Sequence, residues 1–329
     1  MIISIIIPCY NVEKNISQLL DSILCQINGN SVEIICVNDG SSDSTLDVLT
    51  NIASNNSSLN VINQENGGPA SARNSGLDKA VGDYIWFVDG DDQIDSYAID
   101  TLIQEIYSNP TDVICFNYNR VDVNGNIVPN YKHHIICDCH HTFKGTEAYA
   151  KYKIPAYLWN RVIKRELIEK HHIRFGIIPE DEDFLINTYL VANSFRFINS
   201  CLYYYKEIES SFSKSLDSHC KYYEGYFLIM DKYSSLIDLE RNDAFWQLFI
   251  WSCIRNIFIN YNRIKVRSIH NIIDDRKTMY KKIRNHLVVY ESSISRLSLR
   301  SFIIKTVKNY PFLLDFPCYF IYKIKDRLI

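Results

Sequence analysis

Tyr84-Ile85-Trp86-Phe87-Val88-Asp89-Gly90-Asp91-Asp92 passes directly from an apolar run to a cluster of carboxylates. Aromatic and β-branched side chains in a short run of this kind read as a buried strand, and the glycine among acids marks where it ends. Outward from it, Ile2–Ile7, Val32–Val37 and Leu59–Ile62 have the same character, each bounded by Asn, Asp, Gly or Pro. Between them Ile16–Cys25, Leu46–Ala53 and Ala70–Ala80 carry apolar residues at helical spacing, with Ser44 and Pro69 where helices start. Strand–helix–strand repetition predicts an α/β fold, a mostly parallel sheet with helices on both faces. Ligands of such sheets gather at the carboxyl ends of the strands. Those ends read Pro8-Cys9-Tyr10-Asn11, Asn38-Asp39-Gly40-Ser41, Asn63-Gln64-Glu65-Asn66-Gly67-Gly68 and Asp89-Gly90-Asp91-Asp92, all polar.

Further along, residues 113–145 read as a strand, a turn at Asn124-Gly125 and a returning strand. Tyr149 to Asn193 reads as helical with interruptions, Phe195–Tyr205 as another strand, and the chain from about Lys221 as helical. The 329 residues hold 35 Lys and Arg, 38 Asp and Glu, 47% hydrophobic side chains and a mean hydropathy of −0.13, which excludes a disordered or fibrous protein. Ten cysteines without a framework pattern read as reduced thiols. The apolar opening Ile2–Pro8 is too short for a signal-peptide core, so a cytoplasmic location is expected.

Charge is unevenly spread. Arg255–Ile329 holds 16 Lys and Arg against 5 Asp and Glu, a balance of +11, and the preceding residues carry −14. This predicts two parts, a catalytic domain over 1–217 and a basic, mainly helical region over 218–329. Tyr310–Lys325 joins aromatic residues to a basic end, with Pro311 and Pro317 against a spanning helix. Two readings stand, a helical part packed on the core and a peripheral foot on an anionic membrane surface, with Phe312, Phe316, Tyr319 and Phe320 in the interface. No recognition motif accompanies the charge, so nucleic acid is not an expected partner.

Asp89 and Asp91 flank a glycine that lets a phosphate approach the backbone, and a Mg²⁺ or Mn²⁺ ion held there shares phosphate oxygens. A turn with helix-capping aspartates is the plainer alternative. Four segments in order, Pro8–Asn11, Val37–Asp43, Asn66–Leu77 and the Asp89 cluster, together resemble family 2 glycosyltransferases of the GT-A fold, which use nucleotide sugars, and the likeness covers about residues 1–212. The resemblance implies Pro8, Tyr10 and Asp39 at the nucleoside. A carboxylate at Asp39 suits the imide N–H of uracil. It also implies Asn66 and Arg73 at the donor, Arg73 offering its fork to a phosphate or to Asp89, and Asp89 and Asp91 at the metal and diphosphate. Asp92 is a supporting group or a cap.

The same resemblance places the general base in Glu180-Asp181-Glu182-Asp183. With Phe184 and Asn187 as guides the matching pair is Glu182-Asp183, Asp183 being the base, and a register with Glu180-Asp181 stays open. Like charges nearby raise an aspartate's pKa toward a useful range. Acids in a first helical turn also simply favour the helix dipole. Trp159 and Asn160 resemble residues on the acceptor side, although a core role for Trp159 is equally open. Lys206 stands where the family more often has Arg, and Ser211 matches a family serine. Outside the family pattern, Cys137, Cys139 and His141 would share one strand face and could take zinc, against unusual spacing; His171-His172 reads as structural. Together these imply an inverting, metal-dependent enzyme that moves a sugar from a UDP-sugar to a saccharide or lipid-linked saccharide in surface polysaccharide synthesis. An inactive nucleotide-sugar-binding scaffold and a nucleotidyltransferase are the alternatives.

Overall fold

The computed structural model describes residues 2–27, 29, 31–122, 125–128, 135, 141–176, 178–206, 215–239, 243–267, 278–279 and 281–283. The chain forms two compact units, Met1–Gly176 with Glu180–Glu209, and Ile177–Pro179 with Ser210–Ile329.

In the first unit β1 (Ile3–Cys9), β2 (Val32–Asp39), β3 (Leu59–Gln64) and β4 (Tyr84–Phe87) pair in parallel in the order β3-β2-β1-β4. Every residue of β2 is buried, as expected where helices cover both faces of a parallel sheet. Helix α1 (Ile16–Leu24) buries Ile16, Leu19, Leu20 and Ile23, the 3–4 spacing of one face. Each such side chain contributes about 1.5–3 kcal/mol by leaving water. Helix α2 is Thr45–Ala53, and α3 is Gly68–Leu77 with Pro69 in its first turn. The predicted parallel α/β core is present. Cys9, Cys36 and Cys115 are buried thiols within it.

The sheet continues as β4-β9-β6-β10-β5. Its remaining elements are β5 (Gln93–Ile94), α4 (Ala98–Ser108), β6 (Val113–Val121), β7 (Ile127–Val128), β8 (Thr142–Phe143), α5 (Gly145–Tyr152), β9 (Arg161–Lys164), α6 (Arg165–Lys170), α7 (Glu180–Val191) and β10 (Phe195–Lys206). Here the structure corrects the reading of 149–193 as interrupted helix: β9 is a strand, antiparallel to both β4 and β6. Its apolar run, Val162-Ile163, is too short to announce itself, and the strand exists because it fills the gap between two others. The 113–145 hairpin begins as expected: Arg120 and Val121 pair with Val128 and Ile127, and Gly125 turns with φ 82°. Most of His133–His141 lies outside the described residues, and with it the zinc reading; His141 itself packs its ring 4.5 Å from Phe143. His171 ends α6 and His172 has φ 50°, which is a structural turn.

The second unit contains α8 (Leu216–Lys232), α9 (Ser234–Leu239) and α10 (Ala244–Arg267). Ser215 caps α8 by accepting the Ser218 N–H at 3.0 Å. Ring contacts Tyr223–Tyr261 and Tyr233–Trp246 join α8 and its end to α10, beside a buried His219–Asn260 contact at 3.0 Å. Among the described residues no helix is long and apolar enough to cross a membrane. The segment proposed as a membrane foot, 310–325, lies outside them, as does Ser211.

Candidate functional site

The carboxyl ends of β1 to β4 bring the sequence-derived residues to one edge of the sheet. At β1, Pro8 is half-buried and Tyr10 is 53% exposed. At β2, the buried Asp39 accepts the N–H groups of Gly67 and Gly68 at 2.9 and 2.8 Å. It thereby caps α3 from a neighbouring strand and satisfies donors that the helix leaves open. Asn66 adds a bond from its side-chain amide to the Asp39 carbonyl at 3.0 Å. Gly40 makes the approach possible: it has φ +66°, and a Cβ there would stand 2.7 Å from the Asn66 nitrogen.

A residue that sequence reading passed over completes this corner. Gln64, the last residue of β3, donates from Nε2 to Asp39 Oδ1 at 2.7 Å and to Ser71 Oγ at 3.1 Å, while Ser75 donates to its Oε1 at 2.6 Å. Its only sequence signal is that it is a polar strand-end residue beside the loop already singled out.

Arg73, on α3, is the hub of the site. One Nη donates to Asp89 at 3.1 Å and the other to Asp181 at 3.0 Å, with Glu180 3.8 Å away. The guanidinium also lies 5.5 Å from the centre of the Phe175 ring. Burial opposes its charge, but Asp181, Asp89 and Glu180 more than reverse this and hold it firmly protonated. Among the described residues its Nε has no hydrogen-bond partner.

The position of Asp181 changes the expected register. Residues two apart on a helix point about 200° apart, so Asp181 and Asp183 cannot both face Arg73. Asp181 does, with its side chain 35% exposed, whereas Asp183 is 1% and Glu182 6% exposed. The phase is set by Phe184, whose ring stacks on Phe175 at 4.1 Å and meets Phe87 edge-on at 5.6 Å. That docking turns Asp183 inward and Asp181 toward the strand ends. Burial, set against Arg73 and reinforced by Glu180 and Asp89, pushes the Asp181 carboxyl up to about 7.

Across Gly90, burial and then Asp89 push Asp91 up to about 6. Asp89 and Asp91 are the residues that could hold a metal: carboxylate oxygens suit Mg²⁺ or Mn²⁺, which complete their shells with phosphate and water. Two like charges across one glycine, one of them desolvated, fit a cation between them. Among the described residues no cluster of three or more His, Cys, Asp or Glu could hold a metal unaided. Asp92 is turned away and buried, accepting the Tyr203 hydroxyl at 2.7 Å and the Lys206 N–H at 2.8 Å. Lys206 directs its Nζ to Gln18 at 2.9 Å.

Trp159 is 5% exposed and belongs to the core. Its indole stacks on Tyr203, Tyr157 and Tyr205 at 4.5, 4.8 and 5.6 Å, and its carbonyl accepts the Trp86 Nε1–H. This enclosure supports the core role of the two readings left open for Trp159. Tyr157 and Tyr205, half-buried on the same stack, are the rings with exposed surface.

A parallel sheet of this order carrying an acid pair at the end of β4 and a helical acid opposite defines a protein of the GT-A class. The chain belongs to glycosyl transferase family 2, whose family model matches residues 4–173. It is similar to an uncharacterized glycosyltransferase, EpsJ, of Bacillus subtilis, 31% identical over 66% of this chain and 66% of EpsJ. It is also similar to the glycosyltransferase GlyA of Streptococcus pneumoniae, 30% identical over 64% of this chain, so the match spans under a third of that longer protein, 31%. In fold it resembles residues 1–349 of S. aureus TarS in complex with UDP-GlcNAc, with a TM-score of 0.63 and 22% identity, covering 96% of this chain and 88% of TarS 1–349.

Proposed function

We propose that the chain is an inverting, metal-dependent glycosyltransferase that takes its sugar from a UDP-sugar and delivers it to a hydroxyl of a saccharide or lipid-linked saccharide in surface polysaccharide synthesis. The observation that carries this reading is the single guanidinium of Arg73 joining Asp89 at the strand end to Asp181 on the opposite helix. Family membership supports it, and so does the UDP-GlcNAc bound by TarS, the structure of similar fold.

The nucleoside end rests on Asp39. A carboxylate offers about four lone-pair positions, and three are taken by Gln64, Gly67 and Gly68. Among the described residues one acceptor position is left. The uracil imide brings one N–H to such a position; guanine brings donors on two neighbouring nitrogens, and cytosine has no imide N–H. Tyr10 and Pro8 border the base, and Asn66 holds the loop that Asp39 caps.

At the other end, Asp89 and Asp91 would hold a divalent cation, which when bound neutralises charge developing on the departing diphosphate. Arg73 keeps Asp89 in place and adds positive charge beside it. Asp181 takes the proton of the acceptor hydroxyl as its oxygen attacks the anomeric carbon and the bond to the diphosphate breaks, which inverts that carbon. A pKa near 7 suits this duty: the group is ionised often enough to act and basic enough to accept. Burial first, then like charge from Glu180 and Asp89, keeps it there against Arg73, and Asp183 is proposed no part in proton transfer.

The test is a donor screen with the full chain. UDP-, dTDP-, GDP- and CDP-sugars are incubated with Mn²⁺ or with chelator, and the released nucleotide is identified. Release of UDP from UDP-sugars, dependent on Mn²⁺, is expected. Pyrophosphate as product would mean nucleotidyl transfer, and binding without release would mean an inactive module.

A further inference from the structure

The turn that bears Asp89 and Asp91 is held from below by a residue that neither the proposed chemistry nor the family resemblance employs. Tyr203 is fully buried in β10. Its hydroxyl accepts the backbone N–H of Asp89 at 3.2 Å and donates to Asp92 Oδ2 at 2.7 Å, so one oxygen grips the first and last residues of the turn. The second oxygen of Asp92 accepts the Lys206 N–H at 2.8 Å, three residues along the same strand. The turn closes on itself through the Asp92 N–H to the Asp89 carbonyl at 3.2 Å. Beyond it, β5 pairs with β10 at Tyr203 and Tyr204. The acidic turn is thus tied at entry, at exit and just past its exit to a single stretch of β10.

The phenol has little freedom to be elsewhere. Its ring lies 4.5 Å from Trp159 at 10°, and Trp159 is itself enclosed among Tyr118, Tyr157 and Tyr205. A stack of this kind fixes the ring plane and therefore the direction of the hydroxyl. Burial, then Asp92 and Asp89, push the phenol's pKa well up, so it stays a hydrogen-bond donor.

We propose that Tyr203 is a positioning residue for the Asp89–Asp91 pair: through Asp92 and the Asp89 N–H it sets the backbone so that both carboxylates meet the cation and diphosphate of the donor. The inference rests on the donor reading above. It separates two contributions to donor binding. Among the described residues no hydrogen bond links Tyr203 to the nucleoside corner at Asp39 and Gln64, whereas the metal-dependent part passes through the turn it holds.

The test measures UDP binding to the full chain by calorimetry, once with Mn²⁺ and once with chelator, for wild type, Tyr203→Phe and Tyr204→Phe. Tyr203→Phe keeps the stacked ring and deletes one oxygen. Tyr204 also donates its hydroxyl to an aspartate, Asp95 at 3.0 Å, but from the other side of the strand, and serves as control. Expected are an affinity loss of about tenfold for Tyr203→Phe in Mn²⁺, the scale of losing a buried hydrogen bond to a charged group, and a change under about twofold in chelator. Tyr204→Phe stays within about twofold of wild type in both. Equal losses with and without Mn²⁺, no loss, or the same loss in Tyr204→Phe overturns the inference. A wild-type chain that binds no UDP in either condition overturns the donor reading and this inference together. Should Tyr203→Phe fail to fold, Asp92→Asn alters the other end of the same hydrogen bond and carries the same expectation.

Discussion

Arg73 and Asp181, 108 positions apart in the chain, meet at 3.0 Å, and the same guanidinium holds Asp89 at 3.1 Å. A buried guanidinium therefore couples the turn after β4 to the first turn of α7.

Replacing Arg73 by Met should unmask that coupling. The three acids around it lose their counter-charge, which for a buried pair costs about 3–5 kcal/mol. Asp89 and Asp181 keep a third of their side-chain exposure, so a loss of about 2 kcal/mol at pH 7.5 is expected. Denaturant unfolding at pH 7.5 and 5 checks it: the deficit should shrink at the lower pH as Asp181, whose carboxyl is pushed up to about 7, takes up its proton. Arg73→Lys keeps the charge without the fork and should recover stability better than turnover.

Stability should also respond to pH through Asp181 itself. Burial, with Glu180 and Asp89 against Arg73, pushes its carboxyl from an ordinary 3.8 up to about 7. Between those values the folded protein retains a proton that the unfolded chain has released, so this group's contribution falls as pH rises across that window. Unfolding free energies of wild type and Asp181→Asn measured from pH 4 to 8 should show the variant gaining on wild type with rising pH. A difference that stays flat would mean an unperturbed carboxyl.

Gln64 is expected to act on the donor alone. Gln64→Glu sets a second carboxylate against Asp39, where the amide now donates at 2.7 Å. The KM for the nucleotide sugar should rise about tenfold, as for a lost charge-assisted hydrogen bond, with kcat within about twofold. A fall in kcat at constant KM would place Gln64 in the chemistry instead.

Trp159, enclosed on its stack, should matter for folding more than for binding. Trp159→Ala is expected to cost about 3–5 kcal/mol. Donor KM measured well below the lowered melting point should change little, and a large rise there would return the indole to the substrate.

How much of this was legible beforehand follows from what is local. The β1–β4 core shows in runs such as Ile2–Ile7 because both faces of β1, β2 and β4 are covered, and Asp39, Arg73, Asp89 and Asp91 come with it as strand-end and helix residues. The Arg161–Lys164 strand does not show, since it is a strand only between β4 and β6. The base proposed here, Asp181, belongs to the register that the sequence left open beside Asp183, for a similar reason. All four of Glu180–Asp183 are acids, so composition cannot say which faces the site; the docking of Phe184 against Phe175 and Phe87 does. Tyr203 and Gln64 were silent because each acts through partners supplied by other strands or a following helix.

Asp181, beside Arg73 and Asp89, is proposed to remove the acceptor proton. Transfer rates of Asp181→Asn and Asp183→Asn, measured side by side with the donor and acceptor found by screening, test it most directly. Asp181→Asn should lower kcat by about 10²–10⁴, the usual worth of a general base, while UDP affinity in Mn²⁺ stays within a few-fold of wild type; Asp183→Asn, once folded, should keep kcat within about tenfold, with its main effect on stability. Near-normal transfer by Asp181→Asn together with a dead Asp183→Asn would contradict the assignment.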